Sequence, residues 1–213
     1  MVRNSVDSHF IDRLRRGLKQ LGEDPDAHPC EQYLAYIDLL IQWNRAYSLT
    51  AVRGREDMLA RHILDSLAVL PAIAGRYCMD AGTGAGLPGF LLALARPVQH
   101  WTLVDSNMKK IRFLNQAVVQ LQPANVEIVH ARVEHYQPRR RFDTIVMRAC
   151  TSLKKFHEQT AGLLTDNGRL VAMKGRRPDQ ELAELADNGI DFQIVEVHVP
   201  VLDVIRHLIV MGT

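Results

Sequence analysis

The sequence contains few cysteines and no long apolar run. Cys30, Cys78 and Cys150 are far apart and have no metal-ligand spacing, so we expect reduced, mostly buried thiols in a cytosolic protein, without a zinc or redox site. No apolar run approaches the roughly 20 residues that a membrane span needs, and the polar stretch Met1–Phe10 has no signal-peptide core. We therefore expect a cytoplasmic protein with no metal and no membrane partner.

The sequence also lacks a strong net charge. Its 26 basic and 24 acidic side chains give a formal charge of +2, so bulk charge does not require a nucleic-acid partner. The basic residues nevertheless form three clusters, which are Arg139–Arg141, Arg176-Arg177 and Lys109-Lys110-x-Arg112. Arginine suits bidentate contacts with phosphate and guanine. A solvated surface accounts for any one cluster, and the set indicates RNA because each lies near a predicted strand end.

A glycine-rich turn is the most informative stretch of the chain. A short apolar run ends at Asp80, glycines follow at 82, 84, 86 and 89, and Pro88 suits the first turn of a helix. Strand, glycine turn and helix are the nucleotide-binding unit of a Rossmann-like fold. Two spacings overlap: Gly84, Gly86 and Gly89 fit the dinucleotide fingerprint, and Gly82, Gly84 and Gly86 form G-x-G-x-G after an acid.

Charge distinguishes the two cofactors that this turn could hold. A dinucleotide would place an anionic pyrophosphate at the helix N-terminus, facing the carboxylate of Asp80. S-adenosylmethionine carries an ammonium and a sulfonium, which an acid at this strand end attracts. We therefore expect Asp80, Gly82, Gly84 and Gly86 to bind S-adenosylmethionine, with the glycines allowing close backbone approach.

The next strand supplies a second acid. Residues 101–104 are apolar or β-branched and lead to Asp105, roughly 20 residues beyond the glycines, where a carboxylate accepts hydrogen bonds from ribose hydroxyls. Dinucleotide and methyl-donor sites share this feature. Asp105 and Ser106 are also compatible with an N-cap of the following helix.

Strands and helices alternate along the rest of the chain and predict a mostly parallel, right-handed sheet. We expect an N-terminal helical extension (1–70) packed on a Rossmann-like core (71–213), as one structural unit. Helices are predicted at 6–21, 28–47, 56–70, 90–95, 107–121, 153–164 and 179–186. Strands are predicted at 77–80, 101–105, 126–130, 141–147 and 169–173, with a turn at 166–168 and a closing antiparallel pair at 192–199 and 207–211.

Several polar residues are predicted near the carboxyl edge of the sheet, where open α/β folds bind ligands. Arg148 ends the fourth strand, and a buried strand rarely ends in a long cation without a partner. The backbone around Val133 and Glu134 could read an adenine edge, or could simply start a helix. His62 and Asp65 share a helical face, which fits either a packed histidine or a substrate-side wall.

With these residues in view, the chain resembles the 16S ribosomal RNA small-subunit methyltransferase G family, also called glucose-inhibited division protein B. The resemblance spans about residues 30–208. It is carried by blocks on both sides of the glycine turn, whereas a generic methyltransferase shares the turn alone. The blocks are Trp43-Asn44, Leu49–Val52, Arg61–Ser66, Asp80–Gly89, Asp105-Ser106, Lys110-x-x-Phe113-Leu114, Arg132–Glu134, Arg148-Ala149, Lys174-Gly175 and Arg206–Leu208.

The resemblance implies a class I S-adenosylmethionine-dependent methyltransferase that modifies N7 of a guanosine in the decoding-region loop of 16S rRNA. It implies a seven-stranded sheet with an antiparallel C-terminal strand, and cofactor contacts at Gly82, Leu87, Val133-Glu134 and Arg148. We expect Arg148 to orient cofactor and RNA, and Asp65 or a backbone carbonyl to ease positive charge on the purine. RNA contacts are expected from Asn44, Arg61, His62, Arg139, Arg140, Arg141 and Lys174.

The expected partner is 16S rRNA or the small ribosomal subunit, and nothing in the sequence demands a partner chain, so we expect a monomer. Three other functions fit parts of the pattern. A small-molecule methyltransferase would share the turn but not the dispersed arginines. An NAD-dependent oxidoreductase would bind the nicotinamide nucleotide, and a non-catalytic assembly factor would bind the particle and leave N7 unmodified.

Overall fold

The computed structural model describes residues 2–148 and 152–212, with side chains from residue 7 onward. Within these ranges seven strands form one sheet in the order β3-β2-β1-β4-β5-β7-β6. The first five in this order are parallel, and β7 runs antiparallel to both β5 and β6. The strands are β1 (Tyr77–Ala81), β2 (His100–Asp105), β3 (Val126–His130), β4 (Phe142–Arg148), β5 (Leu164–Lys174), β6 (Phe192–Val199) and β7 (Val204–Gly212). The predicted fold class is confirmed.

Helices cover both faces of the sheet and form the N-terminal extension. They are α1 (Val2–Gln20), α2 (Cys30–Tyr47), α3 (Arg55–Met58), α4 (Asp65–Leu67), α5 (Gly89–Ala95), α6 (Met108–Leu121), α7 (Leu153–Thr160) and α8 (Asp179–Asp187). Short 3₁₀ turns lie at Pro25–Ala27, Leu70–Ala72, Val133–His135 and Ala161–Leu163.

The predicted helix at 56–70 is not a uniform α-helix. A π-helical segment, Leu59–Leu64, joins α3 to α4, and the Asp65 N–H reaches back five residues to the Ala60 carbonyl. Such segments occur often at functional sites because they displace the following side chains around the helix axis. Here the segment contains His62 and leads directly into Asp65, and both side chains are buried.

The predicted turn at 166–168 lies inside β5. The pairing of β4 with β5 shifts register between Phe142 and Thr144, which pair with Leu164 and Arg169. Asp166, Asn167 and Gly168 therefore form an irregularity in the strand. The prediction of a turn before the strand is wrong, because β5 already begins at Leu164 and both flanks of the irregularity pair with β4, which is distant in sequence.

The extension and the sheet share one hydrophobic cluster. Phe10 and Leu14 of α1 and Tyr36 of α2 belong to the same buried set as Phe90 of α5 and Trp101 of β2. A second cluster on the opposite face joins Met79 and Val104 to α7 and α8. The extension thus packs on one face of the sheet, and the division at residue 70 stays a prediction.

Two of the three thiols lie in the described part of the chain. Cys30 and Cys78 are buried and free, and burial raises the pKa of Cys78 to about 12. Cys150 lies outside the described residues. No helix in the described ranges is long and apolar enough to cross a membrane, and the same residues contain no cluster of histidine, cysteine and acidic side chains that could hold a metal ion.

Candidate active site

The loop between β1 and α5 is built on glycines in left-handed conformations. Gly82, Gly84 and Gly86 have φ of +68°, +63° and +84°, which side-chain-bearing residues rarely adopt. A Cβ on Gly82 would meet nothing within 4 Å, whereas one on Gly86 would lie 2.8 Å from both Leu114 and Phe90. Gly82 therefore borders open space, and Gly86 allows the loop to pack tightly against α5 and α6.

The side chain of Asp80, at the end of β1, fixes this loop by hydrogen bonds. Its side chain is 0% exposed, and its Oδ2 accepts hydrogen bonds from the Thr83 hydroxyl (2.6 Å) and the Gly89 N–H (2.7 Å). Burial raises the pKa of the Asp80 carboxyl to about 6, although both hydrogen bonds oppose the shift. Its Oδ1 is buried and has no hydrogen-bond partner among the described residues. One oxygen thus organises the loop, and the other is an unused acceptor.

Asp105 joins the end of β2 to the same loop. Its Oδ2 accepts from the Gly84 N–H and its Oδ1 from the Asn107 N–H, both at 2.8 Å. The N-cap of α6 is Asn107, whose side chain accepts from the Lys109 N–H, so the alternative that Asp105 or Ser106 caps this helix is wrong. Each carboxylate oxygen retains a further lone pair, and the predicted ribose contact stays a prediction.

The remaining predicted cofactor residues surround the same edge of the sheet. Leu87 is buried in the glycine loop. Val133 and Glu134 lie in the 3₁₀ turn that follows β3, and Glu134 is exposed. The pKa of Glu134 is lowered, chiefly by a hydrogen bond with its own backbone and further by the charge of Arg132. Their contact with a cofactor stays a prediction.

Arg148, at the end of β4, meets a buried acid from the helical extension. Its Nη1 lies 3.6 Å from Oδ2 of Asp65 and donates to the Arg61 carbonyl at 3.4 Å. The Nε of Arg206, on β7, donates to Oδ1 of the same carboxylate at 2.6 Å. Asp65 is 5% exposed. The cation that ends a strand therefore has its partner, and Asp65 fixes two guanidinium groups at once.

Asn44 and His62 are buried in a polar network and do not face solvent. Asn44 is 3% exposed; its amide donates to the Thr50 and Val52 carbonyls, and its oxygen accepts from the Thr50 N–H. His62 is 4% exposed. Its Nε2 lies 3.0 Å from the Thr50 hydroxyl, and its Nδ1 lies 2.9 Å from the Arg61 carbonyl. A direct RNA contact by either stays a prediction that would require the 50–52 loop to open.

The network also fixes the protonation of His62. The Arg61 carbonyl can only accept, so Nδ1 carries the proton and Nε2 accepts from the Thr50 hydroxyl. Burial, and after it the nearby charge of Arg148, lower the pKa of His62 to about 4. His62 is therefore a neutral positioning group at pH 7.

Lys174 and Arg61 lie at the carboxyl edge of the sheet, and their predicted RNA contacts stay predictions. Lys174 ends β5, but its Nζ donates to both oxygens of Glu181 at 2.8 Å, so its charge is paired within the protein. Arg61 is exposed on the π-helical segment next to Arg148. Of these two cations, Arg61 is the more accessible to a bound polyanion.

The cluster Arg139–Arg141 lies on the opposite side of the sheet. It precedes β4, and Arg139 and Arg140 line a cavity with Tyr77 and His100, which begin β1 and β2. In a parallel sheet these positions form the amino edge, away from the glycine loop. The cluster therefore lies next to the start of β4 and apart from the glycine loop, and its predicted RNA contact stays a prediction.

Two residues of the site had no assigned role at the level of sequence. Tyr36 of α2 is fully buried, and its hydroxyl donates to the Ala85 carbonyl in the glycine loop. Arg206 orients Asp65. Arg206 belongs to a block that carries the family resemblance, which was a usable signal. Tyr36 sits in an ordinary apolar helical stripe, and only the packed structure reveals its contact.

The chemistry of this edge fits S-adenosylmethionine. Open space at Gly82 allows a ligand to approach the backbone. The partnerless buried Oδ1 of Asp80 is an acceptor suited to an ammonium, and Asp105 stands at the adjacent strand end with lone pairs for a ribose. The carboxylates of Asp80 and Asp105 at this edge disfavour an anionic pyrophosphate, although Lys110 lies beside the loop, with its Nζ 3.9 Å from Oδ2 of Asp105.

Solved structures share this fold at low sequence identity. A SAM-dependent methyltransferase from Aquifex aeolicus superposes with a TM-score of 0.55 at 20% identity, covering 71% of this chain and 91% of that chain. The glycopeptide N-methyltransferase MtfA complexed with S-adenosyl-L-homocysteine gives 0.61 at 8% identity, covering 71% and 87%. The sheet and its glycine loop therefore define the Rossmann-like fold that these methyltransferases share.

Sequence comparison identifies the family. The family model for rRNA small subunit methyltransferase G matches residues 29–209. The ribosomal RNA small subunit methyltransferase G of Pseudomonas aeruginosa strain PAO1 is 45% identical over 98% of both chains. That of Laribacter hongkongensis is 45% identical over 94% of this chain and 97% of its own. The chain belongs to the rRNA small subunit methyltransferase G family and is an enzyme with S-adenosylmethionine as its cofactor.

Proposed function

We propose that this protein methylates N7 of a guanine in the decoding-region loop of 16S rRNA, in the cytoplasm and as a monomer. One observation carries the proposal: the glycine loop that fits the methyl donor adjoins the cluster of Arg148, Asp65 and Arg206 at one edge of the sheet. The name of the family indicates that the substrate is rRNA. The neighbouring glycine loop and arginine cluster form a site where a cofactor and an anionic polymer can bind side by side.

The proposed reaction needs orientation more than acid–base chemistry. When bound, S-adenosylmethionine supplies an electrophilic methyl group on a sulfonium. Guanine N7 has a lone pair and no proton, so no side chain has to act as a general base. Arg148 cannot be one at neutral pH, and His62 is neutral and hydrogen-bonded through both ring nitrogens. The residues of this edge therefore contribute by placing the two reactants in line.

Arg148 is positioned for this task by groups on three separate elements. The Asp65 carboxylate, the Arg61 carbonyl and the neighbouring pair of Asp65 with Arg206 hold its guanidinium at the end of β4. We assign Arg148 to orienting cofactor and RNA. Both oxygens of Asp65 face guanidinium groups, so its negative charge mainly offsets these two cations. In this way it eases positive charge on the purine only indirectly. Its principal role is to position the two arginines.

Mapping of rRNA methylation tests the proposal. In cells that lack the gene, N7 of the target guanine should be unmodified, and it should regain the methyl group when the wild-type protein returns. The purified protein should transfer methyl groups to small subunits or 16S rRNA and not to free metabolites. A protein that binds the particle while N7 stays unmodified would be a non-catalytic assembly factor, and the proposal would be wrong.

A further inference from the structure

The amino edge of the sheet carries a groove that the reaction does not use. The chain between β3 and β4 forms only the 3₁₀ turn Val133–His135 and an extended segment where an α/β unit usually places a helix. A cavity of about 730 Å³ lies beside this segment, against the first residues of four parallel strands. We call it the amino-edge groove, and the residues that matter here are Tyr77, His100, Glu127, Tyr136, Arg139 and Arg140.

Aromatic and cationic groups are interleaved along this groove. The rings of Tyr77 and His100 stack at 5.4 Å with 16° between their planes. The guanidinium of Arg140 lies over the Tyr77 ring, 4.3 Å from its centre. His100 and Arg140 are exposed and Tyr77 is half-buried, so planar groups are presented to solvent on a rigid strand end. Such surfaces stack the bases of single-stranded nucleic acids without requiring a particular sequence.

The charge of the groove favours a polyanion. Arg139 and Arg140 have no carboxylate within 4 Å in the part of the chain that the structure describes, whereas the adjacent Arg141 pairs with Asp166 at 3.7 Å. Glu127 is the acid that lines the groove. Two arginines face one glutamate, and arginine is the cation that combines phosphate contacts with stacking.

We propose that the amino-edge groove binds a single-stranded segment of the RNA substrate that flanks the modified nucleotide. This inference rests on the proposed function. The groove and the glycine loop lie at opposite ends of β1 and β2, a separation of about 17 Å for five or six strand residues. A substrate that contacts both must wrap around the sheet edge, so the enzyme recognises several nucleotides in addition to the target guanine.

Binding of an RNA oligonucleotide to the full chain tests the proposal. The probe is a fluorescein-labelled single strand of about 12 nucleotides, within the span of known single-strand sites, and the readout is fluorescence anisotropy. The double variant Arg139→Ala/Arg140→Ala should bind at least about tenfold more weakly. The slope of log affinity against log salt should become less steep by about 1.4, because two phosphate contacts are lost.

Two further variants separate groove binding from general charge. Arg16→Ala removes an exposed cation from α1, far in sequence from the groove, and should change neither affinity nor slope beyond the effect of net charge. Arg140→Lys should keep the wild-type salt slope, because the charge is retained. It should lose part of the affinity, because lysine lacks the planar group that stacks. All variants replace exposed side chains, and an unchanged melting temperature and S-adenosylhomocysteine affinity confirm folding.

Three results would overturn the proposal. The first is wild-type oligonucleotide binding by the double variant. The second is weaker binding to small subunits with unchanged oligonucleotide binding, which would make the groove a protein contact. The third is displacement of the oligonucleotide by an equal concentration of mononucleotide, which would make it a small-ligand pocket. A failure of the proposed function differs from these, since wild type would then leave N7 unmodified while RNA binding still depended on Arg139 and Arg140.

Discussion

At the scale of single residues, buried polar groups in this protein serve as positioning devices. Asp80 and Asn44 fix backbone groups of neighbouring loops, and His62 contacts the Thr50 hydroxyl of the 50–52 loop. Burial moves the pKa of Asp80 and of His62 in opposite directions from their ordinary values. In both cases the shift favours the neutral form, because removal from water penalises charge. Each of these two residues therefore contributes to the pH dependence of stability.

We predict that Asp80 makes the protein less stable as pH rises from about 4 to above 6. Its pKa rises from 3.8 to about 6 on folding, so the stabilisation is fully present below pH 4 and is lost above pH 6. The difference is about 3 kcal/mol of unfolding free energy. Denaturant titrations of wild type and Asp80→Asn measure it, since asparagine can still accept from Thr83 and Gly89 but does not titrate.

The comparison with Asp80→Asn is necessary because His62 acts in the opposite sense. Its pKa falls from 6.5 to about 4 on folding, so it stabilises the protein above pH 6.5 and that stabilisation is lost as pH falls towards 4. The two effects offset each other in the wild type. A pH profile of the variant that parallels that of the wild type would contradict the assignment to Asp80.

We predict that Arg148→Ala folds normally but loses about 10²–10³-fold in kcat/KM for methyl transfer, as expected when a fixed cation is removed from a site. Asp65 keeps its shorter contact with Arg206, at 2.6 Å, so the carboxylate is not left unpaired. Arg148→Lys should recover part of the activity, because it restores charge without the guanidinium fork. A folded Arg148→Ala protein with the wild-type rate would refute this role.

At the scale of elements, the sequence predicted the sheet well because its strands are short apolar runs that end at acids, cations or glycines. The same local signals identified the glycine loop and Asp105, which hydrogen-bonds that loop. The π-helical segment at Leu59–Leu64 was not predicted, since its hydrogen-bond pattern is set by packing and not by residue type. The burial of Asn44 was also missed, because a polar residue near a helix end carries no sequence sign of the loop that covers it. For His62 the sequence left a packed histidine and a substrate-side wall open, and the structure shows a packed histidine.

The contact of α2 with the glycine loop is the clearest link between extension and cofactor site. The Tyr36 hydroxyl donates to the Ala85 carbonyl, and its ring stacks on Phe90 at 5.5 Å. We predict that Tyr36→Phe lowers the unfolding free energy by about 1 kcal/mol and weakens S-adenosylhomocysteine binding severalfold, because the loop loses a fixed point. Calorimetric titration and thermal melting measure the two effects.

Tyr33→Phe is the matched control. Tyr33 lies one turn earlier on α2, is equally buried, and contacts Nδ1 of His28 at 3.0 Å, away from the glycine loop. It should show a comparable loss of stability with unchanged S-adenosylhomocysteine affinity. Equal effects of both variants on affinity would mean that Tyr36 acts through general stability.

At the scale of the whole molecule, the extension and the core are held together by packing and by charge. Their apolar side chains form one buried cluster, and the Asp65 carboxylate joins the extension to β4 and β7 through two arginines. The carboxyl edge of the sheet is thus closed on one side by the extension. The amino-edge groove lies beside the β3–β4 connection, which forms only the 3₁₀ turn Val133–His135 and no covering helix.

We predict that extension and core unfold as one cooperative unit. The two tryptophans of the chain report on each part: Trp43 lies on α2 and Trp101 on β2. In the single-tryptophan variants Trp43→Phe and Trp101→Phe, fluorescence and far-ultraviolet circular dichroism of the same variant should give coincident urea transitions.

The Asp65→Asn substitution weakens the ion pairs that join the extension to β4 and β7. It should shift the transitions of both probes together, because an unfolded extension would expose the apolar face of the sheet. The contradicting result is a Trp43 fluorescence transition at a lower urea concentration than the circular-dichroism transition of the sheet, with or without Asp65→Asn. It would show that the extension is a separate folding unit.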